Sequence, residues 1–368
     1  MYLAPSLEKY TKETLSAREA QRLAEFISWG PAVFQVSRLM IKFGILDVIR
    51  DSDHGLTLAE IAEKTSLSQY AVKCLLEASL SIGSVIINPE TERFTLSKMG
   101  WILLNDRITR VNMDFNHDVN YKAWYDLEAS LVNGKPEGLK NFGSWSTIYE
   151  GLSQLPENVR NSWFGFDHFY SDSAFPEALE IVFNKHNVKT LYDIGGNTGK
   201  WALLCVGFKD DVEVTVLDLP QQISMLEENI KGNVNAHRIK GLGVDILDKG
   251  ATLPKREGGL DAIWMSQFLD CFSMEQITDI LVKVRSIMDC STRIYIMETL
   301  WDRQKYETAA LNLTMTSLYF SAVANGNSKM YNTADMTSCI ENAGLVIDEI
   351  HDHLGLGHSI LVCKIKEG

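Results

Sequence analysis

The chain has 368 residues, 45% of them hydrophobic and 10% aromatic, which is enough to bury more than one core and too apolar for a disordered chain. Its 48 acidic side chains against 35 Lys and Arg give a net charge of -13, which repels a nucleic-acid backbone and gives no general attraction to an anionic membrane. No stretch approaches ~18 uninterrupted apolar residues, the N-terminus lacks a basic-then-apolar leader, and the six cysteines show no CxxC pairing, so a reduced, cytoplasmic protein is expected.

From Ala17 to about Arg50 apolar residues recur at i, i+3 and i+4, and Gly30-Pro31 divides the segment into two helices. The second helix, with Phe34, Val36, Leu39, Met40, Ile41, Phe43 and Ile45, is apolar nearly all round. That is more greasy surface than a small domain covers, and it predicts burial against a second copy of the chain. Residues 56–64, the Ser66-Leu67-Ser68 turn and residues 70–76 predict a helix-turn-helix, with a hairpin wing over 84–97. Between Ser68 and Gly83 only Gln69 and Lys73 could read base edges, so this segment is expected to be a scaffold. Helices continue from about Asp106 to Lys185, with a loop over 134–138. A helix before the first sheet strand carries Trp163, Phe166 and His168, either core residues or an aromatic wall with a polar tip.

The stretch Thr190-Leu-Tyr-Asp-Ile-Gly-Gly-Asn-Thr-Gly-Lys200 reads as a buried strand ending in an acid and a glycine turn. In an open α/β sheet, ligands lie outside the carboxyl ends of the strands, next to such turns. Asp193 beside a pyrophosphate would be repulsive, so a ligand with sulfonium or ammonium charge fits better than a dinucleotide. The strand over 212–218 ends in Asp218, about 20 residues past the glycines, where ribose hydroxyls are usually held. A third strand-like segment ends in 243–247, with Asp245 as an acceptor beside the apolar Ile246.

Further along, Glu298 ends the strand over 294–298, placed either to face the crevice or to cap the strand. The helical run from Leu311 to Phe320 carries Met315, Tyr319 and Phe320 as core or as pocket lining. His351, His353 and His358 are split by Leu354-Gly-Leu-Gly357 and have no HExxH partner, so no metal site is expected.

The run from Asp193 to Gly199, Leu-Asp-Leu-Pro at 217–220 and the Asp245-Ile246 pair resemble the class I S-adenosylmethionine-dependent O-methyltransferases that carry an N-terminal winged-helix dimerisation domain. That family includes plant phenylpropanoid and flavonoid enzymes, acetylserotonin methyltransferase and bacterial polyketide-tailoring enzymes. The resemblance implies an α/β fold: a Rossmann-like methyltransferase sheet over 186–368, a mostly α winged-helix dimerisation domain over 1–105, and a helical connector over 106–185. It also implies a homodimer, with S-adenosylmethionine held by Asp193, Gly195, Gly196, Gly199, Asp218, Leu219, Asp245, Ile246, Ser266 and Gln267. Trp163, Phe166, His168, Met315, Tyr319 and Phe320 would then bind a small aromatic or polyketide-like acceptor.

Two stretches depart from the family pattern. Against Phe268-Leu-Asp-Cys-Phe-Ser273, the family's Leu-His-Asp-Trp puts Asp270 where the general-base histidine stands and Phe272 where the tryptophan stands. In Asn325-Gly-Asn-Ser-Lys-Met-Tyr331, Met330 takes the place of a glutamate that supports that histidine. An ordinary aspartate near ~3.9 is a poor base for a phenol near ~10, so Asp270 requires a raised pKa or a more acidic acceptor. The expected function is O-methylation of a small molecule, with C-methylation less favoured. The alternatives are a relative that keeps the cofactor for decarboxylation, hydroxylation or cyclisation, and a non-catalytic cofactor-binding or regulatory protein.

Overall fold

The computed structural model describes residues 2–366, with the side chains of 168–172 outside that description. Two compact units form: Lys12–Val119, and a second made of Asn120–Gly368 together with the segment up to Thr11.

In the first unit, α1 (Ala17–Ser28) starts at a capping box in which Ser16 and Glu19 bond each other's backbone. Pro31 sits in the first turn of α2 (Gly30–Lys42), where its missing N–H costs nothing. Then follow α3 (Ile45–Arg50), α4 (Leu58–Thr65), α5 (Gln69–Ile82), the antiparallel wing β1 (Val85–Asn88) and β2 (Arg93–Leu96), α6 (Lys98–Asn105) and α7 (Arg107–Phe115). Gly83, at φ 93, stops α5 before the wing. The helix-turn-helix and hairpin are therefore where periodicity placed them.

The apolar run from Phe34 to Ile45 is a different matter. It is broken at Gly44, with φ 71, and Met40 and Ile45 are fully buried in the unit's own core with Leu46, Ile61 and Leu76. Of that run Phe43 stays exposed, and further apolar side chains lie in solvent upstream: Leu23, Phe26 and Ile27 on α1, the last 76% exposed, and Trp29 just after it. The boundary expected after residue 105 also falls between α6 and α7, both of which belong to this unit.

The second unit begins with α8 (Leu127–Asn133), α9 (Ile148–Gly151), α10 (Glu157–Ser171) and α11 (Phe175–Lys185). β3 (Thr190–Ile194), α12 (Lys200–Phe208), β4 (Glu213–Asp218), α13 (Pro220–Ile230), β5 (Ile239–Gly243), β6 (Ala262–Ser266), α14 (Met274–Arg285) and β7 (Arg293–Glu298) follow. α15 (Glu307–Tyr319), α16 (Thr333–Asn342) and the antiparallel pair β8 (Leu345–Leu354) and β9 (His358–Ile365) complete it. The sheet order is β5-β4-β3-β6-β7-β9-β8, parallel from β5 to β7. Its strands are apolar on both faces because helices cover both. Tyr192, Ile194, Ile263, Met265, Ile294 and Ile296 feed one core, while the alternate residues Leu191, Trp264, Tyr295 and Met297 feed the other. On the second face Trp264 stacks on Trp201 at 4.0 Å between centroids.

The segment up to Thr11 joins this unit through specific contacts. The Ala4 N–H donates to the Asp302 carbonyl at 2.8 Å, Leu7 is fully buried, and Lys9 pairs with Glu307. Among the described residues no helix is long and apolar enough to cross a membrane.

Candidate functional site

The chain leaves β3 for β4 on one side and returns through β6 on the other, so the carboxyl end of β3 is the topological switch point where open α/β sheets bind ligands. Two acids and a turn stand there. Gly195 has φ 76 and Gly199, which starts α12, has φ 79. A Cβ on Gly195 would sit 2.3 Å from the Phe268 ring, and one on Gly196 would sit 2.4 Å from the Asp193 carboxylate. The turn is thus compact because nothing larger than glycine fits.

Asp193 is 2% exposed, and its Oδ2 has no hydrogen-bond partner among the described residues. Burial first, then the neighbouring charge of Asp218, pushes its pKa up to about 8. Asp218 accepts from the Asn197 N–H at 2.8 Å through Oδ2 and from the Leu219 N–H at 2.7 Å through Oδ1. Burial also raises the Asp218 pKa, and those two backbone donors oppose the shift. A buried acid whose oxygen has no donor, next to a second carboxylate, is costly alone, and a cation between them relieves both. The residues therefore fit the sulfonium and ammonium charges expected from the sequence.

The other expected cofactor residues are distributed unevenly. Gln267, just past β6, adopts φ 44 and buries an unpartnered Oε1, while Ser266 closes the strand beside it. Asp245 is exposed two residues beyond the end of β5, because the strand stops at Gly243 and the chain turns, with Asp245 Oδ1 accepting from the Leu247 N–H at 2.9 Å. The Ile246 side chain is packed into the core, and its carbonyl accepts from Lys283 Nζ at 2.7 Å.

Asp270 lies on a short 3-10 turn, Leu269–Cys271, and is 6% exposed. The turn abuts the glycine loop through Phe268. Glu298 holds it from below, its Oε1 accepting from the N–H groups of Phe268 at 3.1 Å and Leu269 at 2.8 Å. Asn325 Nδ2 donates to the Cys271 carbonyl at 2.7 Å, and the Tyr331 hydroxyl donates to the Phe272 carbonyl at 2.6 Å. The Tyr149 hydroxyl reaches Cys271 Sγ at 3.3 Å. Burial pushes the Asp270 pKa up to about 7, with a contribution from the Asp167 charge and opposition from the Cys271 thiol. Burial and then the Asp270 charge raise the Glu298 pKa well above its ordinary value, and the backbone N–H donors of the turn oppose the shift. Met330 is buried and brings no charge, its sulfur receiving the Thr299 hydroxyl at 3.5 Å.

Of the acceptor-side residues, the structure brings Trp163 and Tyr319 together, the indole Nε1 donating to the phenol oxygen at 2.6 Å. Phe320 packs edge-on against Tyr319 at 5.3 Å. The charges of Asp167 and Asp270 reach Tyr319, which places this aromatic pair by the Asp270 turn. Phe166 is half-buried, Met315 is 49% exposed, and the His168 side chain lies outside the described residues. Tyr149, Asp167 and Asn325 carried no local signal, although Asn325 lies in the stretch already aligned around Met330. Among the described residues no group of three or more His, Cys, Asp or Glu side chains could hold a metal ion.

Comparison with known proteins sets this geometry in context. Residues 21–94 match a family model described as a Dimerisation2-like domain, and residues 124–345 match one described as an O-methyltransferase domain. The acetylserotonin O-methyltransferase of Macaca mulatta is 20% identical over 229 residues, which is 58% of this chain and 63% of that protein. The match thus spans under two thirds of that relative's length. Among solved structures, the S-adenosylmethionine-dependent methyltransferase SibL in its apo form has a TM-score of 0.69 at 19% identity, covering 93% of this chain and 98% of its own. Human N-acetylserotonin methyltransferase in complex with SAM has a TM-score of 0.64 at 15% identity, covering 96% and 100%. At these identities the likeness is one of fold. The match over 124–345 takes in well over half of the residues, and the chain belongs to the O-methyltransferase domain family.

Proposed function

We propose that the protein is an S-adenosylmethionine-dependent O-methyltransferase acting on a small aromatic or polyketide-like molecule, with Asp270 as the proton acceptor. The observation that carries this reading is the contact of Phe268 with Gly195, which sets the turn bearing Asp270 directly against the glycine loop and the unpartnered Asp193. Bound at that loop, S-adenosylmethionine supplies an activated methyl group. Asp193 would face its positive charges, Asp218 its ribose hydroxyls, and Gln267 its remaining polar edge. Trp163, Tyr319 and Phe320 would hold the plane of an aromatic acceptor. Asp270, at about 7, is close enough to a phenol to take its proton as the new bond forms. The gap of about three pKa units costs about 4 kcal/mol for full transfer, half the cost for an ordinary aspartate. Appearance of isotope-labelled methyl on an acceptor oxygen tests the proposal.

The same reading takes the chain as a homodimer, supported by the match to a Dimerisation2-like domain and by the apolar residues left exposed on α1. Phe26→Asp combined with Ile27→Asp is expected to convert a dimer to a monomer in sedimentation, since a buried charge at an interface is not tolerated. A monomer for the unaltered chain at micromolar concentration contradicts the assignment.

A further inference from the structure

The first unit carries an electrostatic feature that methyl transfer leaves unused. Arg38 and Lys42 lie four residues apart on α2, and Arg110 and Asp114 four apart on α7, so each pair shares a helix face. The two helices enclose a cleft of about 210 Å³ lined by Arg38, Ile41, Lys42, Arg110, Met113 and Asp114.

Three other cations of this unit are matched by carboxylates. Arg50 pairs with Asp47 and Asp51, Arg93 with Glu60, and Lys73 with Glu77. Arg38, Lys42 and Arg110 form no ion pair among the described residues, and Asp114 is the one carboxylate lining their cleft. Like charges at i and i+4 are mildly destabilising on a helix, so nothing in the stability of α2 calls for the Arg38–Lys42 pair. The field is felt nearby: His117 is held below its ordinary range by burial first and then by Arg38, with Lys42 adding to the shift and Asp118 and Asp114 opposing it. In a chain of net charge -13, a concentration of unmatched cations in a concave site draws anions.

We propose that the cleft between α2 and α7 binds a small organic anion, a carboxylate or phosphate monoester, whose charged head meets Arg38, Lys42 and Arg110 and whose short apolar body packs on Ile41 and Met113. Arginine forks suit the paired oxygens common to both head groups, and two arginines with a lysine exceed what a lone chloride requires. The cleft is not on the recognition helix α5, which carries only Lys73, itself paired with Glu77, so duplex nucleic acid is not the occupant favoured here. The site does not depend on the methyl-transfer reading.

Calorimetry on the full chain with phenyl phosphate and, separately, benzoate tests the proposal. Saturable binding at or below millimolar concentration is expected for at least one of them, and the tighter of the two identifies the head group. Arg38→Gln with Arg110→Gln is expected to weaken that binding at least about tenfold, the least that loss of two charge-assisted contacts implies. Unchanged affinity of this variant for S-adenosylmethionine, or an unchanged far-ultraviolet circular dichroism spectrum, shows that it is folded. Three results overturn the proposal: no saturation by either probe, as when a carboxylate of the protein itself fills the cleft; equal binding by the folded variant; or preference for a duplex oligonucleotide over both probes.

Discussion

Asp270→Asn is expected to lower turnover by ~10²–10⁴-fold with nearly unchanged affinity for S-adenosylmethionine, because the amide keeps the shape of the carboxylate and removes its basicity. The pH dependence separates a base from a spacer. In the unaltered protein Asp270 accepts a proton only when ionised, so turnover should rise with pH through about 7 and then level off. In the Asn variant that limb should vanish. The sign follows from the direction of the shift: burial favours the neutral carboxyl, which is inactive as a base, and alkali restores the carboxylate. Glu298 does not substitute, since one of its oxygens is spent on the Phe268 and Leu269 N–H groups. A loss under about tenfold, with the pH limb intact, would show that Asp270 only shapes the turn and that positioning carries the reaction.

Gly195→Val should nearly abolish cofactor binding. At φ 76 a β-branched residue is strained by about 1–3 kcal/mol, and its Cβ would lie 2.3 Å from the Phe268 ring. The turn then leaves its binding conformation, and apparent affinity falls in proportion to the fraction that remains competent, about five- to 160-fold for strain of that size before the ring displacement is added. Because Phe268 precedes the Asp270 turn, the variant should also lose turnover at saturating cofactor. Gly207→Ala on α12 is the control: nothing lies within 4 Å of its Cβ, so it should be neutral or more stable by roughly 0.5–1 kcal/mol. Calorimetry with S-adenosylmethionine checks both variants, and wild-type affinity for Gly195→Val would remove the loop from the site.

The parts of the fold that were legible in the sequence are those written locally. Strand periodicity, the glycine turn and the acids Asp193 and Asp218 repeat at short spacing, and the sheet places them as expected because each strand must bury both faces. Asp245 fell outside this logic, since the strand ends at Gly243 and the chain turns while the apolar pattern runs on. The scaffold of Asp270 was not legible either. Tyr149, Asn325 and Tyr331 reach its turn from 122, 54 and 59 residues away, and such contacts leave no periodic trace. The same holds for the burial of Leu7 against Ala310 and for α2, whose all-round apolar character reflects its own unit's core as much as any partner.

The protein incubated with S-adenosylmethionine carrying an isotope-labelled methyl group, across a panel of phenols, enols and aromatic carboxylic acids, tests the central claim most directly. The expected result is labelled methyl on an acceptor oxygen, with one equivalent of the demethylated cofactor formed for each product molecule. Label on carbon, or saturable cofactor binding with no transfer to any member of the panel, would contradict assignment of this chain as an O-methyltransferase with Asp270 as its base.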